Sequence, residues 1–91
     1  MNQENKAVVT VVGCDTTGII AGVSAVLARH EANIQDIAQT VLSGMFTMMM
    51  IVDVSKCSFA ALDDELTALG EKMGLEIRIQ KNEIFNAMHR I

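Results

Sequence analysis

Asp15, Thr16 and Thr17 sit together between Gly13 and Gly18, directly after the run Val8-Val9-Thr10-Val11-Val12 and directly before Ile19-Ile20. A strand that feeds a helix through such a loop aims several backbone N–H groups at one point in space. The helix dipole adds partial positive charge at that point. A small anion, most simply a carboxylate, is what such a point can hold. No other part of the 91 residues concentrates polar groups and freed backbone in this way, so a ligand site is expected to start here. Asp36 is the second carboxylate of interest, because a charge set among Ile34, Ile37 and Ala38 needs a partner. Each of these residues also has a plain structural use. The glycines permit a sharp turn, Asp15, Thr16 and Thr17 can cap a helix, and Asn33 can end one.

Catalytic chemistry finds less support. General acid–base or nucleophilic work needs a paired base, and neither His30 nor His89 has an evident partner. Cys14 and Cys57 lie far apart without a Cys-x-x-Cys spacing, so both are expected to be reduced thiols. The start of a helix would lower the pKa of Cys14. The run Met48-Met49-Met50 reads as core and interface rather than a metal site, since thioethers fill irregular gaps well. The expectation is a protein that is not an enzyme and needs no metal or cofactor. Net charge is −4, the seven basic residues are scattered, and the aromatics are three Phe without Trp or Tyr. A nucleic-acid partner would call for a basic face and stacking rings. No apolar run has membrane-spanning length, and Met1–Lys6 has no signal-peptide pattern. A cytoplasmic protein with neither a nucleic acid nor a membrane as partner is expected.

The elements that must position the loop follow from periodicity. Residues 7–12 are apolar on both faces, the pattern of a central strand covered on each side, which predicts a first strand over 6–13. A helix follows with Thr16 or Thr17 as N-cap. Ile19, Ile20, Val23, Val26, Leu27 and His30 lie on its inner face, and its end falls near Glu31–Asn33, with Asn33 taking the left-handed backbone. Residues 34–42 predict a second strand of imperfect alternation: Ile34, Ala38 and Leu42 fall on one face, Ile37 and Val41 on the other. A bulge, or an edge against another subunit, explains that pattern. Ser43-Gly44 supplies a turn. Residues 45–54 predict a third strand, with Phe46, Met48, Met50, Val52 and Val54 on one face and Met49 and Ile51 on the other. Ser58 caps a second helix whose buried stripe is Phe59, Leu62, Leu66, Leu69 and Met73, with Gly74 at its end. Residues 75–80 alternate strictly, as an edge strand does. In the tail 82–91, Ile84, Phe85, Met88 and Ile91 keep helical spacing, which predicts a short helix covering exposed sheet or another subunit.

The order predicts an α+β protein, a ferredoxin-like βαββαβ sandwich with a short C-terminal helix: one domain over 1–91 with its core at 6–81. The first and third strands are expected to be central and parallel, with both helices on one face. Val8 or Val9, Met49, Ile51, and Ile37 or Val41 then supply an apolar patch on the other face, which argues for self-association. So does size, since such a chain buries only roughly 60–65% of its unfolded surface. Fold does not decide function. An acylphosphatase-like enzyme needs a cation in the first loop, where Asp15 would repel phosphate. A copper chaperone needs two cysteines there, and an RNA-recognition module needs aromatics on the first strand.

The remaining class is a binding module, and here a resemblance enters. Gly13-x-Asp15-x-x-Gly18-Ile19-Ile20-Ala21-x-Val23-Ser24, then Leu27-Ala28 and Asn33-Ile34-x-Asp36-Ile37, resembles the ACT domain, a small βαββαβ module that senses amino acids. Gln39-Thr40-Val41, Phe46-Thr47-Met48-Met49-Met50 and Ile84-Phe85-x-Ala87-Met88 extend the likeness. They are similar to free-standing single-ACT-domain bacterial proteins and to the ACT repeats of the glycine cleavage system repressor. The resemblance implies a homo-oligomer, in the simplest case a dimer, whose ligand lies between the first loop of one subunit and the second strand of a neighbour. By position it implies Asp15, Thr16, Thr17, Gly18 and Ile19 on the loop side and Asn33, Ile34 and Asp36 on the other. The ligand carboxylate would meet the N–H groups of the helix start, and its ammonium would meet Asp15, Asp36 or backbone carbonyls. Glu31 stands where many members carry glycine. The expected function is regulatory binding of a small molecule, an amino acid in the first instance. The alternative is a ligand-free interaction module that pairs with a partner protein through its sheet face.

Overall fold

The computed structural model describes residues 6–14 and 16–81; Asp15 and the predicted tail helix of 82–91 lie outside the described residues. The elements run β1 (Lys6–Cys14), α1 (Ile19–Arg29), β2 (Asn33–Leu42), β3 (Met45–Asp53), α2 (Phe59–Met73) and β4 (Glu76–Lys81). They make the ferredoxin-like sandwich, with the sheet ordered β2-β3-β1-β4. The first and third strands are central, but they are antiparallel rather than parallel. The tight Ser43-Gly44 turn, with both residues at positive φ, sends β3 back along β2. The crossover through α1 makes β2 parallel to β1 without being its neighbour, so β3 enters between them in the opposite sense.

Alternation puts Ala7, Val9 and Val11 of β1, Phe46, Met48, Met50 and Val52 of β3, and Ile77 and Ile79 of β4 on the helix face. There they pack with Val23, Val26, Leu27, Leu62 and Leu66 into one core. Met48 and Met50 are fully buried and Met49 points the other way, 48% exposed. Neither α1 nor α2 covers that open face, so among the described residues the helices enclose the central strands from one side only. By register its apolar residues are Val8 and Val12 of β1, Met45, Met49 and Ile51 of β3, and Ala38 and Leu42 of β2. Val9, Ile37 and Val41 belong to the helix face, because each pairs with a residue on that side.

The second strand carries the expected bulge. Ile34 pairs with Val52 and Asp36 with Ile51, so Gln35 is the extra residue. The slip moves Ile34 onto the face of Ile37 and Val41 instead of that of Ala38 and Leu42. Ile34 packs against the core, yet Ile37 and Val41 are 44% and 52% exposed, because the helices sit over the other strands. Along α1, Ile19, Val23, Val26 and Leu27 are buried as expected, while Ile20 is turned outward. Ser58 caps α2 by accepting from the Ala61 N–H, and Gly74 ends it at φ 71°. No helix among the described residues is long and apolar enough to cross a membrane.

Candidate ligand-binding site

The β1–α1 loop begins one residue later than the sequence predicts, because Cys14 still pairs with Met45. Helix α1 is capped by neither threonine. Its N-cap is Gly18, in a left-handed conformation at φ 90° that a β-branched threonine would strain to adopt, and no side-chain hydrogen bond closes the cap. The carbonyl of Gly18 accepts from Gly22 N–H, 2.8 Å away, as the first helical bond. The N–H groups of Ile19, Ile20 and Ala21 therefore precede the helical ladder, as the first-turn donors of any helix do. Thr16, Thr17 and Gly18 are exposed. Ile19 is buried in the core and offers a ligand only its backbone. Asp15, the fifth loop candidate, lies outside the described residues.

The second group of candidates starts β2. Asn33 is exposed and already in the strand; it does not end α1. The left-handed residue there is Glu31, at φ 60°. Ala32 N–H donates to Leu27 O at 2.9 Å and Glu31 N–H to Ala28 O at 3.0 Å, a Schellman closure that needs a left-handed residue at position 31. Ile34 turns its side chain to the core and offers backbone only. Asp36 is exposed on the open face opposite Ile51. Its Oδ1 accepts from the Ile37 N–H at 2.9 Å, so the charge that needed a partner is met by the adjacent backbone. With Ala38, Met49 and Ile51 it borders a shallow depression.

The two groups do not meet within one chain. Asn33 is level with Asp53 and Lys6 at one end of the sheet, whereas Leu42 is level with Met45 and Cys14 at the end where the loop begins. The length of β1 separates them, roughly 25 Å at about 3.3 Å per residue. β2 pairs only with β3, so its outer edge is free among the described residues.

One group was not singled out from sequence. Glu31, Asn33, Asp53, Ser55 and Lys56 line a polar depression beside the start of β2. The Ser55 N–H, 2.9 Å from Asp53 Oδ1, holds that carboxyl below its ordinary range. The Asp53-Val54-Ser55 spacing is the signal that marks such a turn. Nearby, Cys57 Sγ donates to His30 O at 2.9 Å, and burial pushes the thiol's pKa up, so it is a packed thiol rather than a reactive one. Cys14 is free and exposed. Among the described residues no group of acidic, histidine and cysteine side chains converges as a metal site.

Comparison with known proteins places this geometry. The chain is 54% identical to the UPF0237 protein YjhC of Lactococcus lactis over 94% of its length and 99% of that protein's. Relatives of comparable identity come from archaea, Methanocaldococcus jannaschii among them, so the group is not confined to bacteria. A solved ACT domain protein from Streptococcus pneumoniae superposes with a TM-score of 0.78 at 47% identity, over 88% of this chain and 92% of that one. A putative glycine cleavage system transcriptional repressor superposes at 0.76 and 25% identity, over 84% of this chain and 44% of its own. The model of the ACT domain matches residues 5–80. With βαββαβ order, an antiparallel β2-β3-β1-β4 sheet and that match over nearly its whole length, the chain belongs to the ACT domain family.

Proposed function

We propose that this protein is an oligomeric regulatory sensor, not an enzyme, and that it binds a small amino acid between the β1–α1 loop of one subunit and the start of β2 of another. The observation that carries this reading is the start of α1. There a left-handed glycine serves as N-cap without a side-chain hydrogen bond, beside exposed Thr16 and Thr17. Donors of that kind match a carboxylate in charge and geometry. The separation of the two candidate groups supports the bridging arrangement. An antiparallel pairing of β2 with β2 of a second copy would bring the start of the partner's strand beside Leu42, at the end where this subunit's loop begins. The free edge of β2 and the half-exposed Ile37 and Val41 favour that pairing. Asp36, or Asp15 on the loop, would then face the ammonium group. Ligand held by two subunits stabilises the geometry that holds it, and this differential affinity is the switch.

A thermal-shift panel of amino acids that includes glycine and serine tests the reading. A concentration-dependent rise in Tm for one of them supports it; no rise with any at millimolar concentration counts against it. The second reading, a ligand-free module that pairs with another protein through its sheet, rests on the exposure of Met49 and Val12. A stoichiometric partner whose capture survives Asp15→Ala would favour it.

A further inference from the structure

The seam between α1 and α2 holds a groove of about 200 Å³, lined by Val26, Arg29, Glu65, Ala68, Leu69 and Lys72. The two helices run antiparallel there: Gly22 of α1 lies against Leu69 and Met73 of α2, and Arg29, seven residues later, against Glu65. At Gly22 they approach closely, since a Cβ added there would lie 3.5 Å from Leu69 Cδ2. Further along, the short side chain of Ala68 leaves the space beside Val26 unfilled. Buried Val26 and half-buried Leu69 give the groove an apolar floor. Its charge is not set by Glu65, because both oxygens of that carboxylate are taken, one by Arg29 and one by His30. The Arg29 guanidinium carries five donors and uses one of them on Glu65. Lys72 makes no ion pair among the described residues. The positions one turn before it hold Ala68 and Leu69 instead of acids. Two cations thus border the groove against one carboxylate that is already engaged, a balance that favours an added anion. The net charge of −4 is spread over the rest of the chain and is screened beyond about 8 Å at physiological salt.

The two cations stand at opposite ends of the apolar floor. Arg29 is held at the level of Glu65, and Lys72 follows Glu65 by two helical turns, about 10 Å along α2. A charge-assisted contact takes about 2.8 Å at each end, which leaves roughly 5 Å for the guest. A short hydrocarbon chain with a carboxylate at each end matches that span. Its acids meet Arg29 and Lys72, its methylenes meet Val26 and Leu69, and the aliphatic stems of the two cationic side chains flank them. A monocarboxylate or a phosphate is too short to engage both ends. We propose that the α1–α2 groove binds a short aliphatic dicarboxylate of about five carbons, bridged between Arg29 and Lys72. Arg29 closes α1 at the end opposite Gly18, so this site is separate from the one proposed at the β1–α1 loop and does not depend on it.

Glutarate is the probe, titrated into the full chain and followed by the backbone amide signals in NMR. The amides of Val26, Arg29, Ala68, Leu69 and Lys72 should shift and saturate, while those of residues 16–18 stay in place. Butyrate and inorganic phosphate should each bind roughly tenfold more weakly, since either loses one charged contact. The uncharged 1,5-pentanediol should shift nothing. Lys72→Gln should weaken glutarate by roughly tenfold, and Lys72→Arg should keep most of the affinity. Lys72 is exposed and unpaired among the described residues, so unchanged signals elsewhere in Lys72→Gln check that the variant is folded. No saturable shift with glutarate at high millimolar concentration overturns the proposal. So does an affinity that ignores Lys72→Gln, or one that butyrate or phosphate equals, which would mean a contact with one cation only. Shifts confined to residues 16–18 would assign the diacid to the loop and overturn it equally.

Discussion

His30 Nε2 lies 2.6 Å from Glu65 Oε1, across the seam between the end of α1 and the middle of α2. Arg29 donates to the other oxygen of the same carboxylate. The hydrogen bond from Arg29, and after it that from His30, holds the Glu65 carboxyl below the ordinary glutamate value of 4.5. A carboxyl whose pKa is depressed on folding adds stability that is present above its unfolded pKa and is lost as pH falls through the folded one. Glu65→Gln should therefore lower Tm at neutral pH. The gap between the two proteins should close as pH drops from 4.5 downward, and it should narrow in high salt because the pair is exposed. Thermal melts across that range decide; a gap that persists in acid would mean the loss is one of packing.

The two helices end on the same left-handed device built from different residues, Gly74 after α2 and Glu31 after α1. Glycine takes that conformation freely, whereas a residue with a Cβ is strained there by roughly 1–2 kcal/mol. Glu31→Gly should stabilise the protein by about 0.5–1 kcal/mol after the entropy of the added glycine is counted. For a domain of this size that raises Tm by about 2–8 °C. Gly74→Ala should do the opposite by a similar amount. Denaturant melts of both variants check the pair, and signs that agree would refute the argument.

What periodicity encodes, it encoded well here. The alternation of Phe46, Met48, Met50 and Val52 and the spacing of Leu62 and Leu66 placed the core, because side-chain direction in a strand or helix depends only on local geometry. Ser58 and Gly74 were legible as caps for the same reason. The Arg29–Glu65–His30 cluster was not, since Glu65 lies 36 residues from Arg29 and 35 from His30 and meets them only through packing. The cap of α1 was misread because two threonines compete with a glycine there, and only the backbone angle at Gly18 decides between them. The side of Ile34 was misread because one bulged residue reverses every side chain before it. For the site, sequence supplied residue types but not distances. That Gly18 and Asn33 stand at opposite ends of the sheet follows only from the strand register.

Self-association through β2 has its own test in Val41→Lys. Val41 is 52% exposed near the loop end of the edge strand, so the substitution should cost the monomer little. A charge on an exposed edge strand opposes pairing with another edge. Sedimentation should show the wild type as a dimer and Val41→Lys as a monomer at the same concentration. A variant that remains dimeric places the interface elsewhere.

Gly18 separates the ligand reading from one in which the loop only turns the chain. A Cβ added there meets no atom within 4 Å, so alanine would fit sterically, but φ of +90° strains it. Gly18→Ala should cost about 1–2 kcal/mol through backbone strain alone. If the first-turn N–H groups hold a carboxylate, the variant should lose more than stability. The loop would relax away from left-handed geometry, the donors would splay, and the amino-acid-dependent rise in Tm should vanish while the unliganded protein still melts cooperatively. Gly18→Asn, which tolerates the left-handed region better, should recover part of the stability and part of the ligand response together. Thr17→Ala, at a side chain that does not cap the helix, should leave stability within about 0.5 kcal/mol. An undiminished ligand response in Gly18→Ala would place the carboxylate away from this helix start.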